Sequence, residues 1–386
     1  MKIFFIVFVS LFSYLNYLIG RYYISAFSLI GVPALMLWIL NALATTVMLS
    51  APYVYRMYPK KEPGFLYNAL QWCGYIIFGA YSILMVLMIF NVFGLFVYDK
   101  LTKATTEHRD FLKLALAVLS LGATFVMTIL GFFEARKKPK IKNVKVLIAD
   151  LPNEFEGVRI LQISDLHVGQ TIKREFVETI VSMSNEIKPD IVVLTGDMID
   201  GTHSQLADEL SAFKEIIAPM GKFMVPGNHE YYWGFASWIK YWGDIGFSPL
   251  LNEHIIVEKK GAQLVMAGVH DYSSRNVEGG GVSSPDLALK GSPANAVKIL
   301  LAHQPRSVFA AAKAGFHLQI SGHTHSGQYF PYNILIYFFQ PYVKGLNMHE
   351  KTWIYVNQGT GYWGPPSRFG VPPEITVIEL TKLPVS

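Results

Sequence analysis

Two long stretches of this chain carry no acidic or basic side chain. No Asp, Glu, Lys, Arg or His occurs from Tyr22 to Tyr55, and none from Gly64 to Tyr98. Each stretch exceeds the roughly 20 apolar residues that a helix needs to cross the hydrocarbon core of a bilayer. A helix that is apolar all round must be covered by protein or by lipid. Hydrophobic residues make up 52% of the chain, charged residues only 16%, and the mean hydropathy is +0.31. The hydrophobic share and hydropathy exceed an ordinary soluble protein's and the charged share falls below it, so part of the chain belongs in a membrane. Four spans are expected: Ile3–Gly20, about Ile24–Val54, one within Tyr67–Val97, and Leu114–Phe133 between Lys113 and Glu134. Pro33 would kink the second near its start. Ile3–Gly20 resembles a signal peptide, but no small-x-small cleavage site precedes Arg21 and further apolar spans follow, so a retained helix is expected. Tyr53, Tyr55, Tyr58, Tyr67 and Trp72 fall near span ends, as interfacial aromatics do. The alternative, a helical bundle buried in water, does not suit four charge-free spans.

Basic residues orient the spans. Arg136, Lys137, Lys138, Lys140, Lys142 and Lys145 follow the fourth span directly, which reads as cytoplasmic. The N-terminus and the Arg56–Lys61 loop then share that side. The four basic residues of the Tyr98–Lys113 loop count against this, and the denser run outweighs them. The run also suits anionic headgroups, although a plain stop-transfer flank explains it equally well. The net charge of +5 is modest and owes much to this run, so it does not argue for nucleic acid. Cys73 is the single cysteine, which excludes an internal disulfide and a thiolate cluster.

Beyond about Val144 the pattern changes. KVLIAD and VRILQIS read as strands. Phe176, Ile180, Met183 and Ile187 recur at helical spacing over Glu175–Ile187, and Pro189 closes that helix. DIVVLTGD is a strand. Leu206, Leu210, Phe213 and Ile217 mark another helix, KFMVPGNHE a strand, and Ala236–Ile245 a further helix. LVMAG, KILLAHQP, LQISGHTHSG, WIYVN and EITVIEL are later strands, and Gly279–Pro293 reads as a mobile loop. The expected organisation is an all-α transmembrane region over 1–135, a basic juxtamembrane linker over 136–145, and a layered α/β domain over 146–386.

Five segments of that domain repeat one design, an apolar strand running into a short polar turn. The turns hold Asp165 and His167, Asp197, Asn228 and His229, His303, and His323 with His325. The ends of strands are where open α/β sheets place their chemistry. Carboxylates, an amide and imidazoles suit Mn, Fe or Zn with five or six ligands, and they exclude a soft-metal site. Seven or eight ligands exceed one ion and fit two, with Asp197 the natural bridging carboxylate. Two such ions can clamp a phosphoryl group for in-line displacement. Any one of these residues alone would pass for a turn residue or a satisfied loop histidine. All five segments together do not. His203, His254, His317 and His349 match no such turn, while His270 in GVHDYSS stands where it could reach the site.

The ordered set D-x-H, GD, GNHE, H and GH-x-H resembles the calcineurin-like metallophosphoesterases over roughly Val144 to Leu380. The resemblance is greatest to bacterial membrane-attached members sharing the ending from Gly322 to Ile375, with GTGYWGPPSRFG and PEI. It implies a four-layer α/β/β/α sandwich with two divalent metal ions, manganese favoured. By motif, Asp165, His167, Asp197 and His325 would hold one metal, and Asp197, Asn228, His303 and His323 the other. His229 would stabilise the transition state or protonate the leaving oxygen. Glu230 replaces the more common Asp and would orient that imidazole. His270-Asp271 stands where relatives often show two acidic residues. Arg368 is a candidate for phosphate recognition, and Tyr329, Tyr362 and Trp363 for an apolar groove. The resulting expectation is an integral-membrane dimetal phosphoesterase with a cytoplasmic catalytic domain, acting on a lipid-linked substrate. UDP-2,3-diacylglucosamine, cleaved at its pyrophosphate in lipid A synthesis, is one such substrate. Other phospholipids, nucleotides or envelope phosphates are the alternative, and a non-catalytic binding scaffold is the rival of a different class.

Overall fold

The structure is a computed structural model that describes residues 2–58, 63–102 and 105–383. Lys60, Lys61 and Lys103, which entered the orientation argument, lie outside the described residues. The chain forms two compact units. One comprises residues 1–133 together with 364–369, and the other comprises 134–363 and 370–386.

The first unit contains four helices: α1 (Lys2–Ala26), α2 (Gly31–Met57), α3 (Phe65–Leu101) and α4 (Thr106–Ala135). The last three are long and apolar enough to cross a membrane. The expected first span falls on α1, whose first four side chains lie outside the described residues. Pro33 occupies the first turn of α2, where its missing N–H costs nothing, and the interior proline of this helix is Pro52. Leu35, Ile39, Phe93 and Phe125 point outward, as lipid-facing side chains do. Between the helices, polar side chains find partners. Tyr23 Oη lies 2.7 Å from Ser120 Oγ, Tyr81 Oη donates to Asn41 Oδ1 at 2.8 Å, and Asn41 Nδ2 donates to Asn16 O at 3.0 Å. Small residues allow close approach, since a Cβ on Gly74 of α3 would meet Ala51 of α2 at 2.3 Å.

The second unit is built on two six-stranded sheets. The strands are β1 (Lys140–Ile148), β2 (Arg159–Ile163), β3 (Ile191–Leu194), β4 (Lys222–Met224), β5 (Ser248–Pro249) and β6 (Glu253–Lys259). They continue as β7 (Ala262–Gly268), β8 (Val297–Leu301), β9 (Leu318–Ser321), β10 (Gly345–His349), β11 (Thr352–Val356) and β12 (Glu374–Lys382). One sheet runs β1-β12-β2-β3-β4-β5, the other β10-β11-β9-β8-β7-β6. The helices are α5 (Arg174–Ile187), α6 (His203–Leu210), α7 (Asn228–Tyr232), α8 (Phe235–Asp244), α9 (Pro285–Ala288), α10 (Val308–Ala314) and α11 (Tyr332–Leu335).

Strand alternation decides the layering. Ile160, Ile191 and Val193 face Leu264, Met266, Ile299 and Leu318 of the other sheet. Leu161, Val192 and Leu194, on the opposite face, pack against Val177 and Ile180 of α5, Leu206 of α6 and Trp238 of α8. Beyond the second sheet, Val265, Ala267 and Leu300 pack on Ala288 of α9 and Ala311 of α10. The result is helix, sheet, sheet, helix. Burial on both faces explains why β3 reads as the uninterrupted apolar run IVVL. A polar tie joins the two sheets, because Gln162 Nε2 of β2 donates to Ser321 O of β9 at 2.8 Å.

Three local expectations change. The basic run is not a linker throughout, because Lys140 already pairs with Glu374 as β1 lies parallel to β12. Lys145 faces outward, whereas Lys142 shares the face of Val144 and Val146 and lies half-buried, its Nζ 3.9 Å from Glu374 Oε2. The helix over Leu206–Ile217 is α6 followed by a 3-10 turn at Ser211–Glu215. Gly279–Pro293 contains the helical turn α9, capped by Ser284 Oγ, which accepts from Leu287 N.

Candidate dimetal centre

Each expected ligand lies in a turn just past the end of a strand, and the strand order brings those turns to one edge. Ser164–Val168 follows β2, Thr195–Met198 follows β3, and Val225–His229 follows β4. Across the gap between the sheets, Ala302–His303 follows β8 and Gly322–His325 follows β9. The turns are tight. Asp165, His167, Asp197, His323 and His325 all adopt left-handed backbone conformations, with φ between 48° and 70°. Such conformations cost non-glycine residues energy and persist where the surroundings impose them. Here the imposition is visible: Asp165 N donates to Gly196 O at 3.0 Å and His167 N to Asp197 O at 3.1 Å. Glycines permit the close approach, since a Cβ on Gly322 would stand 2.2 Å from Asp165 Oδ2 and one on Gly227 2.1 Å from Asp197 Oδ1.

Two groups of side chains result. The Nε2 atoms of His167 and His325 are 3.0 Å apart, and His325 Nε2 is 3.4 Å from Asp165 Oδ1. In the second group, His303 Nε2 lies 3.2 Å from Asp197 Oδ2 and 3.1 Å from His323 Nδ1. Asp197 Oδ2 also lies 3.9 Å from His167 Nε2, so one carboxylate oxygen faces both groups. Potential ligand atoms of Asp165, His167 and His325 all fall within 4.8 Å of one another. The same holds for Asp197, His303 and His323, and for His167, Asp197 and His229.

The donor set fits cations. Asn228 Oδ1 is buried without a hydrogen-bond partner among the described residues. An unsatisfied buried acceptor costs about 1–3 kcal/mol, and a cation would satisfy it. His303 Nδ1 donates to Thr195 O at 2.7 Å, which fixes the ring with Nε2 directed at Asp197. Burial and mutual charge set the protonation. Burial raises the Asp165 carboxyl, with His303 pulling the other way. Burial also acts to raise Asp197, but His303, His229 and His167 prevail and hold it well below the usual carboxylate range. Burial works to lower His303, and Asp197 overcomes it and carries the imidazole well above its ordinary value. Burial and the neighbouring His303 together push His323 down to about 3, so His323 offers a free lone pair at neutral pH.

His229 stands at the rim. Its Nε2 is 3.8 Å from Asp197 Oδ2, and its Nδ1 is hydrogen-bonded to Asp200 Oδ1. Burial would lower its pKa, but Asp197 and Asp200 push it up to about 9. Trp363, largely exposed, packs edge-on against it with ring centroids 5.8 Å apart.

Several side chains act differently from the sequence reading. Glu230 does not orient His229. Its carboxylate turns back to accept from the backbone N–H groups of Gly227 at 2.7 Å, Met198 at 2.8 Å and Asp197 at 2.9 Å. It is the third residue of a helix capped by Gly227, a position whose carboxylate reaches back to the cap. The orienting role falls to Asp200, which the sequence did not single out. Its other oxygen lies 3.2 Å from His167 Nδ1. Its one trace in the sequence is a second acid in GDMID, three residues beyond Asp197, which does not set it apart from a turn residue. Asp271 is fully buried and accepts from Gln304 Nε2 at 3.1 Å, beside His303. His270 pairs instead with Tyr231 Oη at 2.7 Å. Arg368 is fully buried, and its N–H donates to Gly131 O of α4. Tyr329 and Tyr362 are buried packing residues.

The comparisons with known proteins follow this geometry. The profile described as calcineurin-like phosphoesterase matches residues 158–327. A transmembrane protein with metallophosphoesterase domain from Danio rerio is 32% identical over 326 residues, which cover 80% of this chain and 74% of that protein. An uncharacterized metallophosphoesterase from Helicobacter pylori is 34% identical, covering 73% of this chain and 74% of the relative. A solved NAD nucleotidase of Haemophilus influenzae superposes with a TM-score of 0.38 at 13% identity, over 52% of this chain and 50% of that one. The chain is a membrane protein and a metal-dependent phosphoester hydrolase, and it belongs to the calcineurin-like phosphoesterase family.

Proposed function

We propose that this protein hydrolyses a phosphodiester or pyrophosphate bond in a lipid-linked substrate at the cytoplasmic face of the membrane. One observation carries the catalytic part: Asp197 Oδ2 faces the His167 group at 3.9 Å and the His303 group at 3.2 Å. Asp165, His167, Asp197 and His325 would hold one divalent ion. Asp197, Asn228, His303 and His323 would hold the second, manganese being favoured. When bound, the two ions supply a nucleophilic water of lowered pKa and neutralise phosphoryl charge. The protein's own part is positional. Asp200 holds the Nδ1 side of His229, so its Nε2 carries a proton toward the leaving oxygen.

The lipid-linked part rests on the apolar helices α2, α3 and α4. The cytoplasmic part rests on the basic residues from Arg136 to Lys145. Purified protein with Mn²⁺ and bis-p-nitrophenyl phosphate tests the chemistry. No turnover with any divalent metal, and no bound metal by elemental analysis, would end the enzyme reading. UDP-2,3-diacylglucosamine is the first lipid-linked pyrophosphate to assay against soluble nucleotides. Comparable kcat/KM for both would remove the lipid preference. A C-terminal reporter active only in the periplasm should stay silent, and a strong signal would reverse the orientation.

A further inference from the structure

Five large apolar side chains stand in the open a few residues beyond the metal-type ligand His325. Ile334 is 56% exposed, Leu335 41%, Tyr337 56%, Phe338 80% and Phe339 66%. They lie on α11, on the single 3-10 turn that follows it, Ile336–Phe338, and at its C-cap Phe339. No charged residue occurs from Tyr329 to Val343. Scattered exposed apolar residues need no explanation, but a contiguous cluster of this kind marks an interaction surface.

We infer that this turn is a bilayer-inserting element, and that it seats the rim of the catalytic site in the lipid headgroup layer. It rests on the phosphoesterase reading only for what lies beside it. Three observations favour lipid over a protein partner. First, α4 ends at Ala135 and β1 begins at Lys140. Four intervening residues reach at most roughly 20 Å, so the catalytic unit is tethered to a membrane-crossing helix by a very short leash. Second, the chemistry is interfacial. Phenylalanine and isoleucine at the tip are accompanied by Tyr332, Tyr337 and Tyr342, the residues that favour the boundary between lipid and water. Arg306, exposed, donates from Nη2 to Phe339 O at 2.6 Å, and Lys344 is exposed at the far end, so cations flank the apolar tip as anionic headgroups require. Third, the turn is built onto the metal loop. Gly327, with φ of 73°, lets the backbones touch, since a Cβ there would stand 2.2 Å from Tyr332 O. Tyr329 and Tyr332 stack edge to face with centroids 5.4 Å apart. A phosphate carried on a lipid would therefore enter the headgroup layer already beside His325.

The full chain in vesicles of phosphatidylethanolamine and phosphatidylglycerol tests this. In a Cys73→Ser background, Phe338→Cys carries an environment-sensitive fluorophore, and Ser182→Cys on the exposed face of α5 serves as reference. Lipids spin-labelled high on the acyl chain should quench the probe at 338 at least threefold more than the probe at 182, with a blue-shifted emission. Equal quenching at the two positions overturns the inference. A blue shift at 338 without lipid quenching overturns it as well, because a protein surface, such as a second copy of this chain, would then cover the turn. The phosphoesterase reading is judged separately, by turnover of bis-p-nitrophenyl phosphate by the unlabelled protein, and its failure leaves the quenching result standing.

Discussion

His229 Nδ1 is hydrogen-bonded to the carboxylate of Asp200, which turns the opposite ring nitrogen toward Asp197, 3.8 Å away. The second oxygen of Asp200 reaches His167 Nδ1 at 3.2 Å. One carboxylate thus orients the proposed proton donor and stands beside a metal-type ligand. Asp200→Asn should lower kcat on bis-p-nitrophenyl phosphate by about 10- to 100-fold and weaken metal retention, as loss of an orienting partner does. Steady-state kinetics with metal content measured on the same samples would check it. Unchanged kcat at full metal occupancy would remove the role.

Glu230 organises backbone rather than side chain. Its two oxygens accept three buried N–H groups, from Gly227, Asp197 and Met198. Glu230→Ala would leave three donors without a partner, each costing about 1–3 kcal/mol. The expected loss of stability is at least about 2 kcal/mol, read as a lower thermal midpoint in detergent. A midpoint equal to that of the parent protein would show that water replaces the carboxylate without cost.

Gly322 is present because nothing larger fits. A Cβ there would lie 2.0 Å from Ser164 Oγ and 2.2 Å from Asp165 Oδ2. Both belong to the turn that presents Asp165 and His167. Gly322→Ala should therefore release bound metal and abolish turnover while secondary structure stays intact. Elemental analysis beside circular dichroism separates these outcomes, and a variant retaining full metal content would contradict the packing argument.

Metal removal should cost stability as well as activity. Asp165 and Asp197 are buried together, and burial disfavours the charge on each. Ions that bind the folded form alone stabilise it by RT ln(1 + [L]/Kd), about 4 kcal/mol at a thousandfold excess over Kd. Chelation should lower the thermal midpoint, and Mn²⁺, Fe²⁺ or Zn²⁺ added singly should restore it to different degrees. A midpoint indifferent to chelator would mean that the donors assemble without need of a cation.

The sequence displayed its metal-type ligands because each sits in a turn directly after an apolar strand, where a local pattern suffices. Asp165, His167, Asp197, His323 and His325 were legible for that reason, and all share the left-handed backbone such turns impose. Asp200 was not legible, since a loop aspartate looks the same whether it caps a turn or holds two imidazoles. Glu230 misled because adjacency in sequence places it beside His229, whereas the first turn of α7 directs its carboxylate back to the Gly227 N–H. The burial of Arg368 and the bond from its backbone N–H to Gly131 O of α4 were likewise invisible in PPSRFG.

By itself the sequence determined that part of this chain is membrane-crossing helix and that a layered α/β domain follows. Both conclusions rest on short-range periodicity and on the absence of charge, which neighbouring residues settle among themselves. Only the tertiary structure decided which turns meet. The order β2-β3-β4 in one sheet and β9-β8 in the other brings residues from 165 to 325 to a single edge, because apolar strands must be buried on both faces and their polar turns are left to converge. It alone decided, too, that the apolar run from Ile334 to Phe339 would be left uncovered. That run has the composition of a core strand, and its exposure follows from the short helical turn that Gly327 ties to the metal loop.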